Sequence, residues 1–300
     1  MTAKVILNPY AARWQAKSRI ADIKDALNSA AVEYEIALTE APEHGSLLAA
    51  EAVVAGFDPI IAAGGDGSIG EVVNGMVKAA GDGQLAKLGI LPLGTANDVV
   101  DNLGMPRDLD EAATMIATGK DRMLDLCEVN GRYFINNAGI GLEPFVTTIQ
   151  QEMTYVKGIV RYLMATLTAI ARNPQWEMEL EWEGGSYKGP TTLVSIGNLP
   201  RTGGIFFTVP HADGFDGQLT FVHGYPPSKL GILRVLPKTM KAGEGNYVEH
   251  PAVHEYHSPW LTVKVNPGSP AHADGELFSE SVRELNYRIH PARLPLLSSY

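Results

Sequence analysis

The run Ile60-Ile61-Ala62-Ala63-Gly64-Gly65-Asp66-Gly67-Ser68-Ile69-Gly70-Glu71-Val72-Val73-Asn74-Gly75 constrains the fold more than any other part of the chain. Its apolar start predicts a buried strand, its glycines a tight loop, and the residues from Ile69 to Ala80 a helix. A strand that breaks into a glycine loop and then a helix belongs to a parallel α/β sheet. Glycine lets the backbone approach a ligand without a Cβ in the way, and the free N–H groups and positive dipole end of the helix favour an anion. The segment therefore predicts a phosphate cradle with Asp66 at its tip. A carboxylate beside phosphate is repelled unless a metal ion, or a network leading to one, lies between them. Nucleotide plus divalent cation is the expectation.

Two commoner phosphate loops fit less well. Gly65, Gly67 and Gly70 satisfy G-x-G-x-x-G, but a dinucleotide site needs an acidic residue at the end of the next strand to hold the ribose. That strand, Lys87 to Leu91, runs into Pro92-Leu93-Gly94 with no carboxylate. A Walker loop is also missing, because Gly119-Lys120 is followed by Asp121. The strand ends instead in Leu91-Pro92-Leu93-Gly94-Thr95-Ala96-Asn97-Asp98-Val99-Val100. Thr95 or Asn97 is expected to cap a short helix there. On adjacent parallel strands the two loops would form two walls of a crevice at the carboxyl ends, where open α/β sheets bind ligands.

Up to about residue 125, predicted strands (Lys4 to Leu7, Glu33 to Leu38, Ile60 to Ala63, Lys87 to Leu91) alternate with helices (Ala16 to Ala30, Gly45 to Ala55, Ile69 to Ala80, Leu109 to Thr118). Beyond it, seven strands are predicted: Asp125 to Val129, Arg132 to Asn137, Glu177 to Glu183, Thr191 to Gly197, Gln218 to Gly224, Trp260 to Val265 and Val282 to Ile289. The expected fold is α/β: a parallel-sheet nucleotide-binding domain over 1–124, then a β-sandwich-like acceptor-binding domain over 125–290. The tail, 291–300, is expected to pack back on the first domain, and nucleotide and acceptor to meet in the cleft between domains.

Net charge −10 without a long basic run argues against nucleic acid. One cysteine, Cys127, excludes an internal disulfide and fits a reducing compartment. No signal peptide is evident, and the best apolar stretch, Tyr162 to Ala171 between Arg161 and Arg172, is far below the roughly 20 residues of a membrane span. A cytoplasmic protein is expected, with peripheral membrane association and a homodimer left open. Val160, Leu163, Met164, Leu167 and Ile170 share a helical stripe that predicts core packing, with a lipid-entry wall as the alternative.

Six ordered motifs carry a resemblance: Asn8-Pro9, Gly64 to Asn74, Pro92 to Val99, Asn198 with Gly203-Gly204, Asp216-Gly217, and Asp274-Gly275-Glu276. Together they resemble the lipid kinases with a diacylglycerol kinase catalytic domain, whose nucleotide fold is phosphofructokinase- and NAD-kinase-like. Ser68 stands where that family usually has Thr, and Tyr10-Ala11-Ala12-Arg13 replaces its frequent Ser-Gly. The resemblance implies an ATP- and Mg²⁺-dependent kinase acting on a lipid at the membrane surface. It places nucleotide contacts at Asn8, Pro9, Thr39, Gly64, Gly65, Asp66, Gly67, Ser68, Gly70, Glu71, Gly94, Thr95, Asn97 and Asp98.

The same resemblance gives Asp274 and Glu276 the general-base role, with Asp274 favoured as the proton acceptor. Flanking Gly275, the two carboxylates are expected on one side of an extended or turned segment, since residues at i and i+2 share a face. It also implies a structural Mg²⁺ held by Asp216, with backbone carbonyls from Asp213 and Gln218; hard oxygen ligands suit that ion. Asp125 resembles a carboxylate that joins Asp66 and Asp98 in a metal and water network. His250, His254 and His257 lack zinc-site geometry, since Pro251 and Pro259 break any shared helix and alternate strand residues face opposite ways. The alternatives kept are a kinase of a soluble alcohol and a nucleotide-binding sensor without turnover.

Overall fold

The computed structural model describes residues 2–299 apart from 12–14, 154–157, 173 and 227. Ala12 and Arg13 of the first loop thus lie outside the described residues. The chain divides into two compact units, one of residues 1–126, 132–135 and 290–300 and the other of 127–131 and 136–289.

In the first unit, β1 (Ala3–Leu7), β2 (Tyr34–Leu38), β3 (Ile60–Gly64) and β4 (Leu88–Pro92) form a parallel sheet in the order β4-β3-β1-β2. Helices α1 (Gln15–Ser18), α2 (Ile20–Ser29), α3 (His44–Val54), α4 (Asp66–Ala80), α5 (Asp98–Asn102) and α6 (Leu109–Thr118) fill the connections. The central strands β3 and β4 are buried throughout, as continuous apolar runs covered on both faces should be, whereas the edge strand β2 is half exposed. Val5, Leu7, Ile23, Leu27, Ile61 and Ile116 form the core on one face of the sheet. The predicted helix over Ala16 to Ala30 is two pieces, separated at Arg19.

Helix α4 begins three residues earlier than predicted. Gly65 is extended and acts as the N-cap residue, so Asp66, Gly67 and Ser68 form the first turn rather than a loop. An acidic residue is favoured there by the helix dipole.

The chain then runs through β5 (Lys120–Val129) and β6 (Arg132–Phe134), around an Asn130-Gly131 turn in which both residues have positive φ. The second unit contains β7 (Asn137–Gly141), α7 (Leu142–Glu152), α8 (Gly158–Arg172), β8 (Trp176–Trp182), β9 (Gly185–Thr191), β10 (Leu193–Gly197) and β11 (Leu219–Gly224). It continues with α9 (Lys229–Val235), β12 (Val253–Ser258), β13 (Trp260–Ala273) and β14 (Glu276–Ser298), whose last residues return to the first unit, where Leu296 pairs with Leu88. In the second unit the strands run antiparallel in the order β12-β11-β10-β7-β13, with β13 also flanked by β14 and by the β8–β9 hairpin.

The β8 alternation is as predicted: Trp176, Met178 and Leu180 are buried while Glu177, Glu179 and Glu181 are exposed. Strand β13 runs well past the predicted Val265. Pro267, Gly268 and Pro270 hide its continuation in the sequence because proline lacks a ladder donor; register shifts between Lys264 and His272 accommodate them.

One expectation fails. Helix α8 was expected to bury its large apolar stripe, but only Ile170 of the five residues is buried. The face turned inward carries Ala165, Thr166 and Ala169 instead, and the two alanines pack on Leu142, Val146 and Ile149 of α7.

Candidate active site

The four parallel strands of the first unit deliver their next residues to one sheet edge. Asn8 and Pro9 follow β1, Thr39 follows β2, Gly65 follows β3 and Gly94 lies just beyond β4. Backbone bonds hold them there: Asn8 N–H donates to Ala63 O at 3.0 Å, Thr39 N–H to Leu7 O at 2.9 Å, and Leu93 N–H to Gly64 O at 2.8 Å. Asn8 Nδ2 donates to Ser68 Oγ at 3.0 Å, fixing the hydroxyl in the first turn of α4.

The glycines are needed for close approach. A Cβ on Gly94 would stand 2.6 Å from Gly65 Cα and 2.5 Å from Asn97 Oδ1, so the two loops touch backbone to backbone. A Cβ on Gly64 would lie 2.4 Å from Ser68 Oγ. No side chain caps α4. Its first amides stand at the edge where helix termini hold phosphate.

The second motif caps differently from the prediction. Thr95 is exposed, and Asn97, in the left-handed region at φ 52, turns its Nδ2 back to Gly94 O at 3.1 Å. Helix α5 is capped instead by Asp66, whose Oδ1 accepts from Val99 N–H at 3.0 Å. Asp66 therefore has a protein partner that ties the two loops together. Asn97 Oδ1 is buried without a hydrogen-bond partner among the described residues, 2.5 Å from where a Cβ on Gly94 would stand.

Sequence reasoning missed Arg107. Its guanidinium donates to Asp101 through Nε at 2.6 Å and to Ala96 O at 2.8 Å. The bond to Asp101 holds its pKa above the ordinary arginine value against burial, and the fields of Asp98 and Asp66 add to that. A cation thus stands among the loop's carboxylates, offsetting their charge, and only its position after Pro106 hinted at it.

Other predicted residues have structural partners. Both Glu71 oxygens cap α3, accepting from Glu43 N–H at 3.0 Å and Gly45 N–H at 2.9 Å. Gly70 O accepts from Asn74 Nδ2 at 2.8 Å, and Asn74 also bonds both backbone groups of Tyr133. Buried Asp125 accepts from Ala292 N–H at 2.6 Å, fastening the returning tail.

In the second unit, Asp274 and Gly275 are the two central residues of the β13–β14 hairpin, at φ 47 and 77, with Ala273 opposite Glu276. Two positive φ values define a type I′ turn, which Asp-Gly suits. Asp274 Oδ1 accepts from Asn136 N–H at 2.9 Å and Asn137 N–H at 3.2 Å. One oxygen of this carboxylate is thereby committed to holding the turn. Glu276 follows on the strand, partly exposed.

The same unit has a half-open, mainly apolar pocket of about 80 Å³ whose lining includes Leu142, Val146, Leu193, Phe206 and Leu236. Its polar lining includes Glu143, Ser195 and Tyr247, none of which the sequence had marked, beside four threonines. Glu143 accepts from Ser195 Oγ at 3.1 Å and has His272 Nε2 3.2 Å from its other oxygen. Gly139 makes room for this pair, since a Cβ there would stand 2.8 Å from His272 Nε2. Burial, then the Glu143 charge, pushes the Tyr247 phenol well above its ordinary pKa, so it stays neutral, its hydroxyl donating to Thr208 O.

The Asp213 to Gln218 segment is a pair of tight turns: Asp213 Oδ1 accepts from Phe215 N–H at 3.1 Å and Asp216 Oδ1 from Gln218 N–H at 2.8 Å. Both aspartates are exposed, and among the described residues no three His, Cys, Asp or Glu side chains cluster as metal ligands. The expected donor set, the Asp216 carboxylate with backbone carbonyls, is all hard oxygen and would suit Mg²⁺ retaining several waters, although Asp213 O also accepts from Asp216 N–H at 3.4 Å. His254 and His257 lie on β12, and His257 bonds Thr220 Oγ1 at 2.9 Å.

Comparison with known proteins decides the family. Residues 2–129 match the diacylglycerol kinase catalytic domain, and residues 136–298 match the YegS C-terminal NAD kinase beta sandwich-like domain. The diacylglycerol kinase of Staphylococcus aureus (strain MRSA252) is 30% identical over 254 residues, 84% of this chain and 78% of that one. The chain belongs to the diacylglycerol kinase family. The Bacillus subtilis (strain 168) diacylglycerol kinase is 29% identical over 276 residues, 91% of this chain and 89% of its own length. A crystal structure of a diacylglycerol kinase from Bacillus anthracis str. Sterne aligns with a TM-score of 0.79, covering 99% of this chain and 96% of that one. At 21% identity it shows the shared fold: a parallel α/β sheet and a β-sandwich-like second domain. Family membership makes the chain a lipid kinase, a phosphotransferase with an alcohol group as acceptor.

Proposed function

We propose that this kinase transfers the γ-phosphoryl group of ATP, with Mg²⁺, to the hydroxyl of a diacylglycerol-like lipid, working from the cytoplasm at a membrane surface. The observation that carries this reading is the backbone contact between the Gly65 and Gly94 loops beside the uncapped start of α4. Little covalent chemistry falls to the protein in phosphoryl transfer; positioning and charge neutralisation dominate. The Gly64 to Ser68 amides hold phosphate, the buried Asn97 Oδ1 accepts from the nucleotide, and Arg107 balances the acidic residues around it. Mg²⁺, when bound, neutralises charge on the transferring group. Asp216, with carbonyls of Asp213 and Gln218, would hold a structural ion of the same kind.

For the acceptor, the cavity between α7, α8 and β10 supplies apolar walls and a polar end able to orient a glycerol oxygen through Glu143, Ser195 and Tyr247. Of the two late carboxylates, Glu276 takes the proton. Asp274 already serves two backbone amides and keeps the turn in shape, which supports reversing the preference drawn from sequence. The test is labelled ATP offered with diacylglycerol, phosphatidylglycerol, a sphingoid base and polar alcohols in mixed micelles, with the product identified. Phosphorylation of diacylglycerol well above the rest supports the reading. Preferential labelling of a polar alcohol sinks the lipid assignment, and no transfer to any acceptor sinks the kinase.

A further inference from the structure

One dipeptide joins the apolar pocket of the second unit to its late acidic turn. Asn136 and Asn137, 3% and 1% exposed, lie where β7 begins. On one side, both backbone N–H groups donate to Asp274 Oδ1, and Asn137 O accepts from Asp274 N–H at 2.7 Å. On the other, their side chains hold the segment that forms a wall of the pocket. Asn136 Nδ2 donates to Arg201 O at 3.1 Å, and Asn137 Oδ1 accepts from Thr202 Oγ1 at 3.2 Å. Thr202 lines the pocket together with Phe206, to which it is paired by two backbone bonds of 2.8 and 3.0 Å around Gly203 and Gly204, at φ 61 and 81. The wall is a tight hairpin whose near end is fastened to the dipeptide.

Fold stability alone does not account for the Asn137 side chain. A buried amide is costly unless it is fully paired, and Asn137 Nδ2 has no hydrogen-bond partner among the described residues. The rest of β7 is alanine, isoleucine and glycine. An amide is kept at this one position with a donor unmet, while its oxygen fixes the direction of the Thr202 hydroxyl. We infer, resting on the acceptor and base assignments proposed for the pocket and Glu276, that Asn137 and Thr202 are positioning residues for the transfer. The Thr202 end sets the wall against which the acceptor lies. The Asp274 end sets the turn from which Glu276 follows two residues later, opposite Ala273. Proton removal needs the acceptor hydroxyl within hydrogen-bond reach of the base, and a misplacement near 1 Å costs on the order of 100-fold in rate. One residue, bonded to both parts, keeps them in register, and a lipid that presses on the wall also steadies the turn.

Thr202→Val removes the hydroxyl and keeps the backbone pairing with Phe206, and Thr202→Ser restores the hydroxyl. With ATP, Mg²⁺ and micellar dioctanoylglycerol, Thr202→Val should lower kcat about tenfold, with the lipid KM and the ATP affinity within about twofold of the parent chain. Thr202→Ser should recover most of that loss. Asn137→Ala should cost a similar factor and add little to Thr202→Val, because both cut one link; should it not fold in urea titrations, the Thr202 pair decides. In a Glu276→Gln background no base remains to be placed, so Thr202→Val should change kcat by less than about twofold. Amide hydrogen exchange without ATP reads the link apart from turnover. Dioctanoylglycerol should slow exchange across residues 273–277 in the parent chain and in Thr202→Ser, and not in Thr202→Val. Lipid phosphorylation that is absent in the parent chain, or untouched by Glu276→Gln, counts against the acceptor and base assignments, and the exchange result then decides the link. Parent-like kcat in Thr202→Val, an equal loss in both backgrounds, or turn protection that Thr202→Val retains or the parent chain lacks overturns it.

Discussion

Gly94→Ala tests the cradle at its tightest point. The new methyl carbon would lie 2.6 Å from Gly65 Cα, whereas ordinary contact begins near 3.4 Å, so the loops must separate by about 0.8 Å. Neither partner can rotate away, because both are backbone, and Asn97 Oδ1 at 2.5 Å blocks the same volume. Overpacking of this sort costs about 1–3 kcal/mol in stability. The larger effect falls on function, since a misplacement near 1 Å costs on the order of 100-fold in rate. Urea unfolding, ATP titration calorimetry and kcat/KM on micellar diacylglycerol read the three consequences separately. Gly243→Ala is the control: it has open space and no positive φ, and should be silent in all three. Parent-like ATP affinity and turnover in Gly94→Ala would refute the claim that loop contact forms the phosphate site.

Three further outcomes are expected. Glu276→Gln should lower kcat by about 10²–10⁴ with ATP affinity unchanged, while Asp274→Asn should stay within about tenfold, because asparagine tolerates positive φ and still accepts from Asn136 and Asn137; the reverse order would reassign the base. His223, buried against Tyr187 and Tyr256, has its pKa lowered to about 4 by burial and then by His254. Between pH 6.5 and about 4 the unfolded chain binds a proton that the folded chain refuses, so stability is full above that window and falls as pH drops through it. The loss is on the order of 3 kcal/mol, and His223→Phe should flatten that part of the stability–pH curve; parallel curves for the two proteins would discard His223 as the cause. Asp216→Asn should raise the Mg²⁺ concentration needed for half-maximal thermal stabilisation about tenfold, and an unchanged midpoint would remove Asp216 from the cation site.

The strand and helix around Gly64 to Asn74 were legible from a buried apolar run followed by helical spacing, although the helix took in Asp66 to Ser68 of the predicted loop, and the β8 alternation fixed its own faces. Long-range partners were not legible. Nothing local says that Asp66 caps a helix starting at Asp98, or that Glu71 caps α3 and Arg107 steadies the acidic loop. Periodicity on α8 identified a stripe but carried no sign for its direction; the small residues opposite, Ala165 and Ala169, were the available clue. Prolines in β13 concealed the strand that leads to Asp274, so the late acidic pair was found by motif and its turn only by structure. The Glu143, Ser195 and His272 cluster is assembled from three elements far apart in sequence, with Gly139 the sole local sign of the space it needs.

The most direct measurement follows phosphorus by NMR while the chain works on ATP, Mg²⁺ and micellar diacylglycerol. ADP and a lipid phosphomonoester should appear in equal amounts, and both should vanish with Glu276→Gln while ATP still binds. ADP with free phosphate and no phospholipid would show hydrolysis without an acceptor and contradict the account.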